Sequence, residues 1–291
     1  MTQIIQSLTE VSDRYDALFV DLWGCMHNGV TAYPEAVAAM QAYRAKGGRV
    51  VLVTNSPKPR AGVAAQLAEF GVPDDTYDSI ATSGDSARAA MFRGVVGDKV
   101  YFMGDWARDS GFFAPMEVVE EPLDISRVSL DQATGIVCCG PFDPMADPAE
   151  NRSDFLYAKQ KGMKLLCANP DIVVDRGTRR EWCAGALAQL YTEMGGESLY
   201  FGKPHPPIYD LARRRLAEVD ANIGDAGILA IGDGAHTDIT GAMGEDIDSL
   251  FISGGLAAEE TKTDHSPDPD ALNAYLKKEM AAPTFTIGRL R

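Results

Sequence analysis

The amino-acid sequence predicts an α/β protein: a Rossmann-like, doubly wound parallel sheet core that carries an inserted, smaller α/β domain. Short apolar runs alternate with stretches of helical periodicity along the 291 residues, which is typical of parallel sheets covered by helices. Several runs of the outer block stop at a polar residue. A middle block repeats the alternation and interrupts the outer one, which indicates an insertion.

The outer block begins with a strand at residues 17–20, which stops at Asp21. A helix over 34–46 follows, with proline in its first turn and two glycines beyond its end, as helix boundaries favour. The same reasoning predicts further strands at 49–53, 80–82, 228–231 and 249–252, and helices at 60–70, 85–92 and 208–219.

The middle block has its own strands and helices. The predicted strands are 99–103, 135–139 and 164–168, the predicted helices are 151–162 and 182–194, and 115–131 is a loop with one short strand. We therefore predict a core domain of residues 1–94 and 199–291 and an inserted domain of residues 95–198. Hinges are expected near glycine pairs at 94 and 97 and at 195 and 196.

Composition excludes several classes of partner. Acidic residues outnumber basic ones by 42 to 27, a formal charge of −15, and such a field repels nucleic acid and anionic membranes. Apolar runs are too short to span a bilayer, and the first residues do not resemble a secretory signal. Five cysteines without a C-x-x-C pair indicate buried, reduced thiols in a cytoplasmic protein; for Cys25 we also predict a packing role.

Polar residues follow the predicted core strands at their carboxyl ends. They are Asp21, Thr54 with Asn55, and Asp233, with Asp238 five residues further on. Parallel sheets bind ligands at this edge, so these side chains are expected to converge. Clustered carboxylates repel one another unless a cation lies between them. An all-oxygen set of ligands favours Mg²⁺ over zinc.

Lys203 adds a positive charge to this prediction. It lies in a stretch with two prolines, 202–206, just before the helix over 208–219. A Mg²⁺ ion, an ammonium and the Thr54 hydroxyl around one carboxylate would bind a phosphoryl group. They would leave Asp21 able to attack phosphorus as a nucleophile.

With these residues, the chain resembles the haloacid dehalogenase (HAD) superfamily of hydrolases, and within it the NagD-like phosphatases of subclass IIA. The four motifs are Leu-Phe-Val-Asp-Leu-Trp-Gly at 18–24, Val-Leu-Val-Thr-Asn-Ser at 51–56, Gly-Lys-Pro at 202–204 and Gly-Asp-Gly-Ala-His-Thr-Asp-Ile at 232–239. They occur in the family's order, and the insertion between the second and third corresponds to the cap domain of the subclass (C2 type).

The resemblance implies a role for each motif residue. Asp21 would be the nucleophile that forms an aspartyl-phosphate. Asp21 and Asp233 would bind Mg²⁺ through their side chains, and Trp23 through its backbone carbonyl alone. Asp238 would support the metal or its waters.

The resemblance also implies how substrate is held. Thr54 and the backbone of Asn55 would bind the phosphoryl oxygens, while Lys203 would neutralise nucleophile and phosphate. In the cap, the Ala-Asn-Pro-Asp segment at 168–171 would bring Asn169 and Asp171 to the active site. The implied partner is a small phosphorylated metabolite, a phosphate monoester. Caps of this subclass often pair, which would give a homodimer.

Trp23 departs from the family pattern, in which a second Asp protonates the leaving group. Indole cannot exchange a proton at neutral pH, and such assistance contributes about 10²–10⁴-fold to rate. Three interpretations stay open. His27 or His205, or else His236, supplies the proton. The substrate has a good leaving group, as in acyl or aryl phosphates, or is a phosphonate. Or the chain binds phosphorylated ligands with little turnover.

Overall fold

The computed structural model describes residues 2–116 and 119–291. These residues form two compact units. The first unit comprises 2–54, 64–81 and 203–291, and the second comprises 55–63 and the described part of 82–202. The predicted domain boundaries at 94/95 and 198/199 stay a prediction.

The strands and helices are numbered in chain order. The strands are β1 (Gln3–Ile4), β2 (Ala17–Val20), β3 (Arg49–Thr54), β4 (Ser79–Thr82), β5 (Lys99–Met103), β6 (Ser126–Arg127), β7 (Gly135–Cys138), β8 (Lys164–Cys167), β9 (Val173–Arg176), β10 (Arg179–Trp182), β11 (Glu197–Tyr200), β12 (Ile228–Gly232), β13 (Asp248–Ile252) and β14 (Phe285–Ile287). The helices are α1 (Pro34–Ala45), α2 (Arg60–Glu69), α3 (Ser83–Phe92), α4 (Trp106–Asp109), α5 (Arg152–Gln160), α6 (Ala184–Glu193), α7 (Pro206–Val219), α8 (Thr240–Gly244) and α9 (Pro269–Lys278).

A seven-stranded sheet in the order β1-β14-β13-β12-β2-β3-β4 organises the first unit. Strand β2, which lies next to the central strand β12, pairs in parallel with β12 on one side and β3 on the other. All four residues of β2 are buried, as expected for a parallel strand covered on both faces. On one face Phe19 and Val51 pack with Ile208 and Tyr209 of α7.

The second unit has its own sheet, in the order β11-β8-β7-β5-β6. The side chains of Phe155, Leu165, Leu187 and Tyr191 form part of its core. Helix α3 belongs to the same unit by its contacts, because Met91 and its neighbours pack with residues of β5 and β7.

The structure corrects the prediction of a helix over 182–194. Trp182 is the last residue of β10, which pairs antiparallel with β9, and the helix begins at Ala184. A charged, alternating segment that precedes a helix was thus a hairpin. Strands β1, β11 and β14 and helix α9 were not predicted.

The predicted α/β fold with a parallel core sheet is confirmed. All five cysteines are free and buried, as predicted. Within 2–116 and 119–291, the structure has no helix with both the length and the apolar composition needed to cross a bilayer.

Candidate active site

Asp21 and Asp233 leave the same edge of the first unit's sheet. Asp21 directly follows β2, and its backbone N–H donates to the carbonyl of Ile231 in β12 at 2.8 Å. Val20 and Ile231 are register partners in a parallel pair, and Asp233 directly follows β12. Both carboxylates are buried. The parallel register therefore brings two acidic side chains to the carboxyl ends of adjacent central strands, as predicted.

Lys203 bridges two carboxylates. Its Nζ donates to Oδ1 of Asp21 and to Oδ1 of Asp238, both at 2.6 Å, and the residue is only 3% exposed. Burial by itself lowers the pKa of Lys203, but the charges and hydrogen bonds of both carboxylates outweigh it and raise that pKa well above its ordinary value. The ammonium is therefore charged at neutral pH and is held against Asp21.

Asp238 is an anchor for this lysine. Besides accepting from Lys203, it accepts from the backbone N–H of Gly234 through Oδ2 at 3.0 Å. Asp238 lies in a π-helical turn, Ala235–Ile239. Support of a metal or its waters by Asp238 stays a prediction. Its hydrogen bond with Lys203 was not predicted from the sequence.

Asp233 lies in a strongly negative environment. Its Oδ2 accepts from the backbone N–H of Leu256 at 2.9 Å. Burial, and next to it the charges of Asp21 and Asp238, raise its pKa well above the ordinary value. Three carboxylates thus lie near one ammonium, which contacts only Asp21 and Asp238. A divalent cation would neutralise the excess of negative charge.

The donor set fits Mg²⁺. Carboxylate oxygens of Asp21 and Asp233 and the Sγ atom of Cys25 lie within 4.8 Å of one another, the one group of this kind among residues 2–116 and 119–291. Two carboxylates are suitable ligands for a hard cation that retains most of its waters. The thiol is not a ligand that Mg²⁺ prefers. The backbone carbonyl of Trp23 as a further ligand stays a prediction.

Two glycines allow backbone to approach Asp233 closely. Gly24 has a φ of +72°, and a Cβ there would lie 2.0 Å from Oδ2 of Asp233. A Cβ on Gly255 would lie 2.1 Å from the same oxygen. The glycine three residues after Asp21 therefore has a steric reason as well as a conformational one.

Trp23 and His27 form an aromatic cluster with Phe70. The Trp23 and His27 rings meet edge to face at 5.2 Å between centroids, and Phe70 packs on His27 at 5.0 Å. His27 is 2% exposed, and its Nδ1 accepts from the backbone N–H of Gly29 at 3.0 Å. A Cβ on Gly29 would lie 2.2 Å from the Trp23 ring. The indole ring of Trp23 therefore lies between the His27 ring and the backbone of Gly29, and a side chain at position 29 would clash with it.

The other two candidate proton donors have different surroundings. His205 is the residue before α7 and only two positions from Lys203; burial lowers its pKa, so it is neutral at pH 7. The side chain of His236 is 72% exposed, and its Nε2 lies 2.6 Å from Oε2 of Glu279. Proton donation by His27, His205 or His236 stays a prediction.

The predicted phosphate- and substrate-binding residues fall in both units. Thr54 ends β3 in the first unit and is buried. In the second unit, Nδ2 of Asn55 donates to Oδ1 of Asp171 at 2.8 Å, and Oδ1 of Asn169 accepts from the backbone N–H of Asp171 at 3.0 Å. The structure thus brings Asn55, Asn169 and Asp171 together within the second unit. Their part in binding substrate stays a prediction.

Sequence reasoning missed the position of Cys25. Burial was predicted correctly, but proximity to Asp21 and Asp233 was not. The backbone N–H groups of Cys25 and Met26 both donate to the carbonyl of Leu22, so a tight turn brings Cys25 back toward Asp21. The glycine at 24 was the sequence signal for that turn.

Comparisons with known proteins agree with the motifs. Residues 18–110 match the family described as haloacid dehalogenase-like hydrolase, and residues 200–278 match one described as HAD-hydrolase-like. The chain is 24% identical over 258 residues to 5'-nucleotidase YutF of Bacillus subtilis, covering 88% of this chain and 93% of that protein. It is 27% identical over 244 residues to the glycerol-3-phosphate phosphatase of Homo sapiens, covering 77% and 74%.

Solved structures show the same fold. A haloacid dehalogenase-like family hydrolase from Brucella suis superimposes with a TM-score of 0.85 at 37% identity, covering 99% of this chain and 100% of that one. A possible sugar phosphatase of the HAD superfamily from Cytophaga hutchinsonii superimposes with a TM-score of 0.76 at 19% identity, covering 99% and 98%.

Proposed function

This chain belongs to the haloacid dehalogenase-like hydrolases, and we propose that it is a Mg²⁺-dependent phosphatase that hydrolyses a small phosphate monoester through an aspartyl-phosphate on Asp21. The main support is the lysine at the candidate site. Its Nζ lies 2.6 Å from Asp21 and 2.6 Å from Asp238. An ammonium in this position can neutralise phosphoryl oxygens beside the nucleophile.

Asp21 and Asp233 would hold Mg²⁺, with the backbone carbonyl of Trp23. When bound, the ion would offset the repulsion between these carboxylates and the phosphoryl oxygens. The raised pKa of Asp233 fits this assignment, because a nearby cation would restore its charged form.

The chain's own residues would carry the reaction. The Asp21 carboxylate attacks phosphorus, an Asp21–phosphorus bond forms, and the bond to the leaving oxygen breaks as that oxygen takes up a proton. Water then attacks the phosphorus and releases inorganic phosphate and free Asp21. Lys203 would balance the charge throughout, while the Thr54 hydroxyl and the backbone N–H of Asn55 would donate to the phosphoryl oxygens.

The leaving group is expected to be selected by the inserted domain. We propose Asn169 and Asp171 as contacts to the leaving group, because Asp171 accepts a hydrogen bond from Asn55 of the second motif. The named activities of the relatives, a nucleotidase and a glycerol-3-phosphate phosphatase, support a small phosphorylated metabolite as the substrate class. A cytoplasmic location and a homodimer formed through the inserted domain remain part of the proposal.

Trp23 favours a second candidate. Its ring is packed against His27 and fitted over Gly29, and an indole has no acidic proton to give at neutral pH. An enzyme of this kind would act on acyl or aryl phosphates, whose leaving groups depart without help; a phosphonate is a separate alternative. The remaining alternative is a catalytically weakened protein that binds phosphorylated ligands and hydrolyses them very slowly.

A screen of phosphorylated metabolites on the full chain tests the proposal. The panel includes glycerol phosphates, 5'-nucleotides, phosphoglycolate and an aryl phosphate, each with Mg²⁺ or with a chelator. We expect turnover only with Mg²⁺ and none with Asp21→Asn. Asp248→Asn is the matched control. Asp248 is the first residue of β13, and its carboxylate accepts a hydrogen bond from the Tyr15 hydroxyl. Binding without turnover of any substrate would support the ligand-binding alternative, and Mg²⁺-independent turnover would refute the mechanism.

A further inference from the structure

Cys25 is placed where a third metal ligand would be. It is 1% exposed, and its Sγ lies within 4.8 Å of a carboxylate oxygen of Asp21 and one of Asp233. The turn that returns it to this position is fixed by the bonds of residues 25 and 26 to the carbonyl of Leu22. The thiol sulfur therefore lies close to two carboxylates.

Asp233 independently indicates a ligand at this point. The residue is 5% exposed. Its Oδ2 accepts from the N–H of Leu256, whereas its Oδ1 accepts no hydrogen bond from the residues the structure describes. A cation bound to this oxygen would supply the partner that the described protein groups do not.

We infer that this site also binds a thiophilic divalent cation such as Zn²⁺, with Cys25 Sγ joining Asp21 and Asp233 as a third side-chain ligand. The inference builds on the metal residues of the proposed function. Mg²⁺ would use only the oxygen ligands, whereas a softer cation would also recruit the sulfur.

The geometry needs only a small adjustment. With Zn–S near 2.3 Å and Zn–O near 2.0–2.2 Å, a tetrahedral ion sets its sulfur and oxygen ligands roughly 3.6 Å apart. The three atoms, now within 4.8 Å of one another, would close by up to about 1 Å. On binding, the S–H bond breaks, a sulfur–metal bond forms and the proton passes to solvent.

Binding of this kind would block the proposed phosphatase. Asp21 would be held by a cation that binds it more tightly than Mg²⁺, and the nucleophile would be unavailable. Mg²⁺ and Zn²⁺ would compete for the same carboxylates, so activity would depend on their ratio.

Cadmium is a direct probe, because a cadmium–thiolate bond gives an ultraviolet charge-transfer band. We expect one equivalent of Cd²⁺ to produce the band on the full-length chain, and Mg²⁺ in excess to reverse it. Cys25→Ser should lose the band. Cys183→Ser is the matched control, a buried cysteine of the second unit, and should keep it.

Zinc affinity gives a second readout. Competition with a chromophoric chelator should show that Cys25→Ser weakens Zn²⁺ binding by at least the ~10–100-fold that loss of an outer-sphere partner costs. The increase in melting temperature caused by Mg²⁺ should persist in that variant. If Cys25→Ser does not fold, Cys25→Val fills the space without a donor and takes its place.

A wild-type chain without the band, or a Cys25→Ser variant that retains it, overturns the inference. The proposed function fails separately. A Cd²⁺ band in a chain that hydrolyses no phosphate ester would keep the metal site and refute the phosphatase. Hydrolysis of a phosphate ester by a chain without the Cd²⁺ band would keep the phosphatase and refute the Cys25 metal site.

Discussion

Asp238 accepts a 2.6 Å hydrogen bond from the same Lys203 ammonium that contacts Asp21. Asp238 is itself fixed by the N–H of Gly234. The fourth motif therefore positions the lysine of the third motif against Asp21, the proposed nucleophile of the first. A lysine with one partner could rotate away, whereas one held between two carboxylates keeps its position when substrate is absent.

The first prediction concerns this lysine. Lys203→Met should abolish turnover and destabilise the first unit by about 3–5 kcal/mol, since it leaves buried carboxylates without a counter-charge. Added Mg²⁺ should recover part of the loss. Melting temperature and kcat are the measurements. Lys164→Met is the control, because that lysine forms an exposed pair with Glu197 and should cost no more than about 1 kcal/mol. Equal effects of the two changes would contradict the assignment.

The second prediction concerns Gly24, the glycine beside the proposed Mg²⁺ ligand Asp233. Gly24→Ala would place a Cβ 2.0 Å from Oδ2 of Asp233, which should displace that carboxylate and abolish the thermal shift caused by Mg²⁺. Gly71→Ala has a similar backbone, with a φ of +87° but nothing within 4 Å of its Cβ. It should lose only about 1–2 kcal/mol, the cost of left-handed backbone, and keep the Mg²⁺ response. A normal Mg²⁺ response in Gly24→Ala would show that Asp233 does not bind the ion.

The third prediction concerns pH. The pKa of Asp233 is raised well above its ordinary value of 3.8, so the folded metal-free chain holds a proton that the unfolded chain releases. The stability contributed by this group is therefore present at low pH and falls as pH rises from about 4 toward the raised pKa. Mg²⁺ requires the ionised carboxylate, so its affinity should increase over the same window.

Calorimetry in buffers of different ionisation enthalpy measures this coupling. Mg²⁺ binding should release protons, and Asp233→Asn should abolish both the release and the binding. The melting temperature of that variant without metal should decline less steeply with pH than that of the wild type. Proton release by Asp233→Asn equal to that of the parent would assign the titration to another group.

The sequence predicted the parts of this molecule that local patterns determine. Asp21 directly follows strand β2 and Asp233 directly follows strand β12, because buried apolar runs stop where a polar side chain must leave the sheet. Parallel pairing then placed these residues together, and that also follows from pattern. The fold and the family were predictable on this basis.

Two other features, a tight turn and a charged hairpin, could not be predicted from local sequence patterns. The position of Cys25 depends on a turn whose bonds go to Leu22, and no periodicity encodes it. The hairpin of β9 and β10 is held in part by cross-strand ion pairs such as Arg180 with Asp175. Such charges resemble a solvated helix face until the pairing is known.

The last prediction concerns Trp23, which the resemblance of the first motif aligns with the family's acid. If no group replaces that acid, the rate of hydrolysis should depend steeply on the leaving-group pKa, and aryl and acyl phosphates should react much faster than alkyl phosphates. Trp23→Asp should flatten the dependence, because a carboxylic acid can contribute about 10²–10⁴-fold. The measurement is a series of phosphate esters of graded leaving-group pKa.

The structure supplies the control for this experiment. Trp23 packs on His27 and fills the space over Gly29, so Trp23→Asp also opens a void. Trp23→Leu opens a similar void without an acid, and it should leave the dependence steep. If the wild type already shows a shallow dependence, His205→Ala or His27→Gln should make it steep, and the residue that does so is the donor. A shallow dependence that survives both changes would place the proton donor elsewhere, at His236, in the inserted domain or on the substrate.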